Sequence, residues 1–210
     1  MLLALDTSTP AVTVALHDGR HVLAESTTVD ARRHTELLAP AIADVLSSAG
    51  VDRRELTAIA VGVGPGPFTG LRIGLVTARM LGYVLGIPVH GVCSLDVLAR
   101  GVAVGGPFRV ATDARRREVY WAEYDAAGRR TSGPDVAPPS AVGTDLPVAG
   151  TGARMYPDAF PNPVAPQFPS AIDLATAVLT RKVEMLPAQP IYLRRPDARP
   201  PAGRKPVLSR

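Results

Sequence analysis

Three consecutive residues at the end of the first apolar run, Asp6, Thr7 and Ser8, combine one carboxylate with two hydroxyls. Such a set can touch a magnesium-bound phosphate. It is also a turn signal, because an Asp at a strand end hydrogen-bonds the backbone just beyond it. Metal ligation would need several His, Asp or Glu on one face. His17 and His21 are four apart, but Asp18-Gly19-Arg20 between them reads as a hairpin turn, where that spacing does not bring two imidazoles together. His34 opens a helix, where capping or partner contact is expected rather than ligation, and His90 lies in an apolar strand as a core histidine. No metal site is expected.

The stretch GPGPFTGLRIG, residues 64–74, is the other candidate for phosphate chemistry. A Walker loop needs a Lys to reach the outer phosphates, and the first Lys of the chain is Lys182. A dinucleotide fingerprint needs a third Gly that falls here on Pro67 or Thr69. Pro65 and Pro67 also remove two backbone donors that an anion nest would use. The loop is therefore expected to turn and aim the chain, with Thr69 capping a helix from Gly70 and Phe68 stapling against its first turn.

These residues need a scaffold. LLALDTS (2–8), AVTVALH (11–17) and HVLAESTTV (21–29) read as a three-strand meander, with Asp18-Gly19 as a hairpin turn. From Arg33 to Ala49 the apolar residues Leu37, Leu38, Ala41, Ile42, Val45, Leu46 and Ala49 recur on one helical face, and Gly50 ends the helix. Asp52 and Glu55 form a capping pattern before the strand LTAIAVGVG (56–64). After the glycine loop come a helix over 70–86, a strand IPVHGVC (87–93) and a helix SLDVLARGV (94–102) capped by Ser94. The order is β-β-β-α-β-α-β-α.

A second part, 107–186, opens with two strands around an Arg-rich turn, FRVATDARRREVYWAEYDAAG. A Pro-rich irregular stretch leads to one more helix, SAIDLATAVLTRK (170–182). From 187 to 210 prolines recur too often for regular helix, and an extended, partly disordered tail is expected. Residues 1–106 then form one lobe and 107–186 a shorter second one.

Composition bounds the possibilities. The 210 residues are 46% apolar, enough to bury a sizeable core. Apolar runs are broken by Gly, Arg or Asp well short of the roughly 20 residues that span a bilayer, so no membrane segment is expected. MLLALDTST reads as a first strand and not a secretory signal. One cysteine, Cys93, allows no internal disulfide and fits a reducing compartment, the cytoplasm. The net charge of +4 permits an acidic or RNA partner. With only 5% aromatics, a dedicated nucleic-acid face is not expected.

The strand and helix order fits the ribonuclease-H-like lobe of the actin-like (ASKHA) fold, in which two lobes clamp a nucleotide. LALDTST, HTELLAP, GPGPFTGLRIGL, SLDVLA, DARRREVYWAEYD and YLRRPDA, in that order, resemble the TsaB (YeaZ) family across nearly the whole chain. The resemblance implies a shortened relative of the catalytic subunit TsaD in the machinery that makes threonylcarbamoyladenosine in tRNA. It implies a non-catalytic subunit that dimerises when alone and pairs with a TsaD-like subunit. A TsaE-like ATPase would join that assembly and tRNA would be met only through the complex, with ATP, ADP and metal on the partner subunits. The catalytic relative uses a His-x-x-x-His metal pair and a complete nucleotide cleft; the first does not assemble here, and of the second only Asp6, Thr7 and Ser8 are present.

Partner contact falls on the first two helices. The second is apolar nearly all round, its small residues Gly74, Ala78 and Gly82 recurring every four positions to sit against a sheet. Arg72, Val76, Arg79, Met80 and Tyr83 then point outward, a mixture that interface cores favour. His34, Leu37 and Leu38 of the first helix complete the expected partner-binding set. A bland alternative buries that stripe under the first helix. Two other classes stay open: an actin-fold ATPase or metal-dependent peptidase, and an RNA-binding module using the Arg-rich turn and the basic tail.

Overall fold

In the computed structural model, which describes residues 1–194, the chain builds two five-stranded sheets. The first contains β1 (Leu2–Asp6), β2 (Ala11–His17), β3 (Val22–Val29), β4 (Ala58–Gly62) and β5 (Val89–Val92), ordered β3-β2-β1-β4-β5. β1 runs antiparallel to β2 and parallel to β4, and β4 parallel to β5. Helices α1 (His34–Ala49), α2 (Phe68–Leu85) and α3 (Ser94–Arg100) follow β3, β4 and β5, so the element order is the expected one. This is the actin-like architecture. Asp52 and Glu55 make the expected reciprocal capping box on a short 3-10 turn before β4.

Alternation along β1 sets what lies on each face. Leu3 and Leu5 meet Leu38, Ile42 and Val45 of α1 and Leu71, Leu75 and Ala78 of α2. Leu2 and Ala4 point the other way, to Val97 of α3 and to Ala171, Leu174, Ala175 and Val178 of α5 (Ala171–Thr180). The first sheet's last strand, β5, ends at Val92, and the second sheet begins at Phe108. Helix α5, however, returns from the second part to cover the first sheet, which sequence order alone does not reveal.

The second sheet holds β6 (Phe108–Asp113), β7 (Val119–Tyr124), β8 (Arg130–Ala137), β9 (Val148–Ala149) and β10 (Pro163–Val164), ordered β10-β9-β6-β7-β8. A five-residue helix, α4 (Thr151–Met155), packs on it. Part of the stretch expected to be irregular is thus strand. Pro134 is tolerated in β8 because that strand lies at the sheet edge.

Residues 187–194, expected to begin a loose tail, instead form a strap. Leu186 exchanges backbone hydrogen bonds with Gly91 of β5, and Ile191 N–H donates to the Val63 carbonyl. Arg194 then reaches the Ala114 carbonyl and the Glu118 carboxylate at the β6–β7 turn. The rest of the expected tail, including the end of YLRRPDA, lies outside the described residues.

Candidate partner-binding face

The glycine loop is pressed onto the β1–β2 turn. A Cβ on Gly62 would overlap the Asp6 carboxylate, one on Gly66 the Ser8 carbonyl and one on Gly74 the Thr7 hydroxyl. Only glycine permits that approach. Thr7 Oγ1 donates to the Gly70 carbonyl at 2.7 Å and accepts from Gly74 N–H at 3.1 Å, tying β1 to the first turns of α2.

Asp6, Thr7 and Ser8 are all buried. Asp6 Oδ1 accepts from the Ser8 backbone N–H and hydroxyl, each at 2.7 Å, and Oδ2 accepts from Ser94 Oγ at 2.6 Å. Burial pushes the Asp6 carboxyl above its ordinary range, and the hydrogen bonds from Ser94 and Ser8 oppose that shift. The three candidate nucleotide contacts are therefore brought together but turned inward. Ser94 was missed as their partner. It does not cap α3; Cys93 occupies the cap position, and the Ser94 hydroxyl joins Asp6 to Gly64 N–H. Thr69 likewise does not cap α2, because the helix starts at Phe68 after the rigid Pro67.

The histidines fall out as follows. His17 Nδ1 accepts from Gly19 N–H within the hairpin, and His21 is exposed beyond it. His34 is buried, its Nε2–H donating to the Thr9 carbonyl at 2.8 Å, and Leu38 is in the core. Both leave the candidate partner face, because they sit on the side of α1 that meets the sheet; Leu37 is half-buried beside them. His90 is half-buried in the edge strand β5 rather than enclosed.

Arg115, Arg116 and Arg117 form the β6–β7 turn with φ of 61°, 55° and 61°, all in the left-handed region. Arg115 pairs with Asp113 at 3.2 Å. Together with the β1–β2 turn and the first turns of α1 and α2, Arg115 borders a cavity of about 260 Å³.

What remains open to solvent is the far side of α2. Gly70, Leu71, Gly74, Leu75, Ala78 and Gly82 are buried against the sheet. Opposite them, Tyr83 is 85% exposed, Val84 72%, Val76 57% and Met80 56%. Arg72 and Arg79 are exposed beside them, so α1 does not cover the stripe. By length and composition α2 would pass for a membrane-spanning helix, despite its arginines; one side of it packs on the first sheet, and Val76, Met80, Tyr83 and Val84 on the other supply much of that apolarity. The strap extends the face. Tyr192 stacks on Phe68 with ring centroids 5.6 Å apart, and Arg72 lies over Phe68 while its Nε donates to Tyr192 Oη at 2.8 Å.

Comparison with known proteins agrees with this architecture. The structure of YeaZ from Pseudomonas aeruginosa superposes with a TM-score of 0.76 at 35% identity, over 91% of this chain and 99% of that one. The chain belongs to the TsaB (YeaZ) family. The model of the TsaD family, tRNA N6-adenosine threonylcarbamoyltransferase, matches residues 21–189. An uncharacterised protein of Mycobacterium tuberculosis is 47% identical over 95% of this chain and 94% of its own length. A protein of Mycobacterium leprae is 46% identical over 99% of this chain, which spans only 59% of that relative. The tRNA threonylcarbamoyladenosine biosynthesis protein TsaB of Escherichia coli is 41% identical over 59% of this chain and 54% of its own length. TsaB relatives thus match both the chain's sequence and its two-sheet fold.

Proposed function

We propose that this TsaB-family chain is a non-catalytic subunit in the formation of threonylcarbamoyladenosine in tRNA. It docks a TsaD-like catalytic subunit through the exposed face of α2 and pairs with itself through that face when alone. The observation that carries this reading is the unpartnered apolar stripe Val76, Met80, Tyr83 and Val84, bordered by Arg72 and Arg79. Contiguous exposed apolar residues mixed with Arg and Tyr mark interaction sites. The internal use of Asp6, Thr7 and Ser8 supports placing ATP or ADP and metal on the partner subunits, a TsaE-like ATPase among them. The cytoplasm, where tRNA is modified, is the compartment that fits.

The test is to mix the purified chain with its cognate TsaD-like protein and measure mass by light scattering. A discrete complex is expected. The chain alone is expected to hydrolyse neither ATP nor peptides, and turnover of ATP that disappears in Asp6→Ala would establish the enzyme reading instead.

A further inference from the structure

A wide cleft lies on the other side of the molecule. It has a volume of about 1010 Å³ and runs between the end of α3, the β7–β8 turn and the segment that follows α5. Five cationic side chains line it: Arg100, Arg129, Arg130, Arg181 and Lys182. Two carboxylates face them, Asp96 and Glu184, and Arg130 engages both, at 3.1 Å and 3.2 Å. Tyr124 Oη also donates to Asp96, so that carboxylate is held from two sides in the wall.

The remaining cations are unevenly neutralised. Arg129 pairs with Asp125 on its own turn, and Arg100 lies near Asp173. Arg181 and Lys182 are exposed and make no ion pair among the described residues. The Arg100 Nε is buried without a hydrogen-bond partner. A cleft of this size, walled by fixed and free cations, suits an extended anion.

Resting on the reading above, we infer that this cleft holds the sugar-phosphate backbone of RNA. Among the described residues its one aromatic lining residue, Phe108, is buried and stacked on Tyr124, so none of them offers a ring to a base. Recognition is then of phosphates rather than sequence, and it weakens with salt as counterions are released. The position is compatible with simultaneous protein docking. Helices α3 and α5, which frame the cleft, pack on the face of the first sheet opposite α1 and α2. The chain can hold a protein on one face and RNA on the other.

The experiment titrates labelled cognate tRNA transcript with the full chain by fluorescence anisotropy, at several salt concentrations. The triple variant Arg129→Gln, Arg181→Gln, Lys182→Gln keeps the structural Arg130. It is expected to bind at least about tenfold more weakly, with a log–log salt slope shallower by about two to three. Lys182→Glu alone, an exposed change that leaves folding intact, is expected to weaken binding in the same direction. Arg115→Ala, Arg116→Ala, Arg117→Ala is the control and is expected to bind as the parent chain does.

Unchanged affinity in the cleft variants, loss confined to the turn control, or no tRNA binding by the parent chain would overturn the inference. So would binding of ATP or inorganic phosphate, but not tRNA, that the cleft substitutions abolish. Light scattering with the TsaD-like protein is read separately: a failed complex there sinks the proposed subunit role, while the tRNA titration still decides the cleft.

Discussion

Helices α2 and α5 cover opposite faces of one sheet, and both are apolar, yet α5 leaves only Leu179 of its large apolar residues exposed while α2 leaves a whole stripe. Helix α5 buries Ala171, Leu174, Ala175, Ala177 and Val178, with α3 packed alongside. Helix α2 buries its glycines, Leu71, Leu75 and Ala78 and leaves Val76, Met80, Tyr83 and Val84 in solvent. The contrast teaches that apolar character does not say what covers a helix. Glycines and Ala78 on the sheet side of α2 let it sit close to the sheet, while four large apolar residues on its other side stay in solvent, the kind of surface that marks an interaction site.

The sharpest way to break this comparison is to place the same charge on both helices. Ala175→Glu puts a carboxylate into a fully buried position and is expected to cost more than about 4 kcal/mol, abolishing the cooperative melt. Val76→Glu is expected to leave the melt unchanged while removing self-association and TsaD-like binding. An interface of ordinary size buries about 1,600 Å², and a lone carboxylate at its centre loses solvation without a fixed partner. Val76→Asp, with a shorter reach toward Arg72 and Arg79, serves as the control. Circular dichroism beside light scattering reads both helices, and an unfolded Val76→Glu would make α2 a second α5.

A smaller effect is expected beneath α2. Asp6→Ala leaves the Ser94 hydroxyl and the Ser8 N–H without their buried acceptor and is expected to cost roughly 3 kcal/mol in denaturant unfolding. If the protein is as stable without this carboxylate, the turn does not anchor the loop.

Smaller still is the effect of pH. Because burial raises the folded pKa of Asp6 above its ordinary 3.8, the folded chain holds that proton more tightly than the unfolded chain does. The residue's contribution to stability therefore declines as pH rises from near 4 through the elevated folded value, and is complete in its cost above it. Asp6→Asn is expected to flatten that part of the stability profile, measured by melting between pH 4 and 8. A slope identical to the parent's would assign the titration elsewhere, Asp96 being another carboxyl that burial raises.

The smallest expected effect lies on the second sheet. Replacing Arg115, Arg116 and Arg117 by Ala is expected to change stability by about 1 kcal/mol and to leave partner binding intact, since the Arg115 end of its pair with Asp113 is exposed to solvent. Dissociation from the TsaD-like subunit would extend the partner face across the interlobe cavity.

Much of this was legible because it is periodic. The outward stripe of α2, its small-residue face and the capping box at Asp52 and Glu55 all follow from spacing within one element. What escaped depends on contacts distant in sequence. Ser94 carries a cap residue's signature, but Asp6 lies 88 positions away and takes its hydroxyl. Leu38 and Leu37 share one apolar run, and only the angle at which α1 meets the sheet decides that Leu38 is core. Helix α5 has no local mark that sends it back to the first sheet. The large cationic cleft is assembled from three separate stretches, each with an ordinary-looking pair of basic residues or a single one.

The strap from Leu186 to Arg194 changes what kind of machine this architecture can be. Two lobes joined at one side can swing like jaws, and in that arrangement the gap between them opens and shuts around a ligand. Here the chain is threaded back across the joint. It is hydrogen-bonded to Gly91 and Val63 on one lobe, stacked on Phe68, and tied by Arg194 to Ala114 and Glu118 on the other. Any swing must first tear out that stitching. The strap thus works as a stitch across the joint, and Tyr192 sets part of it beside the exposed stripe of α2.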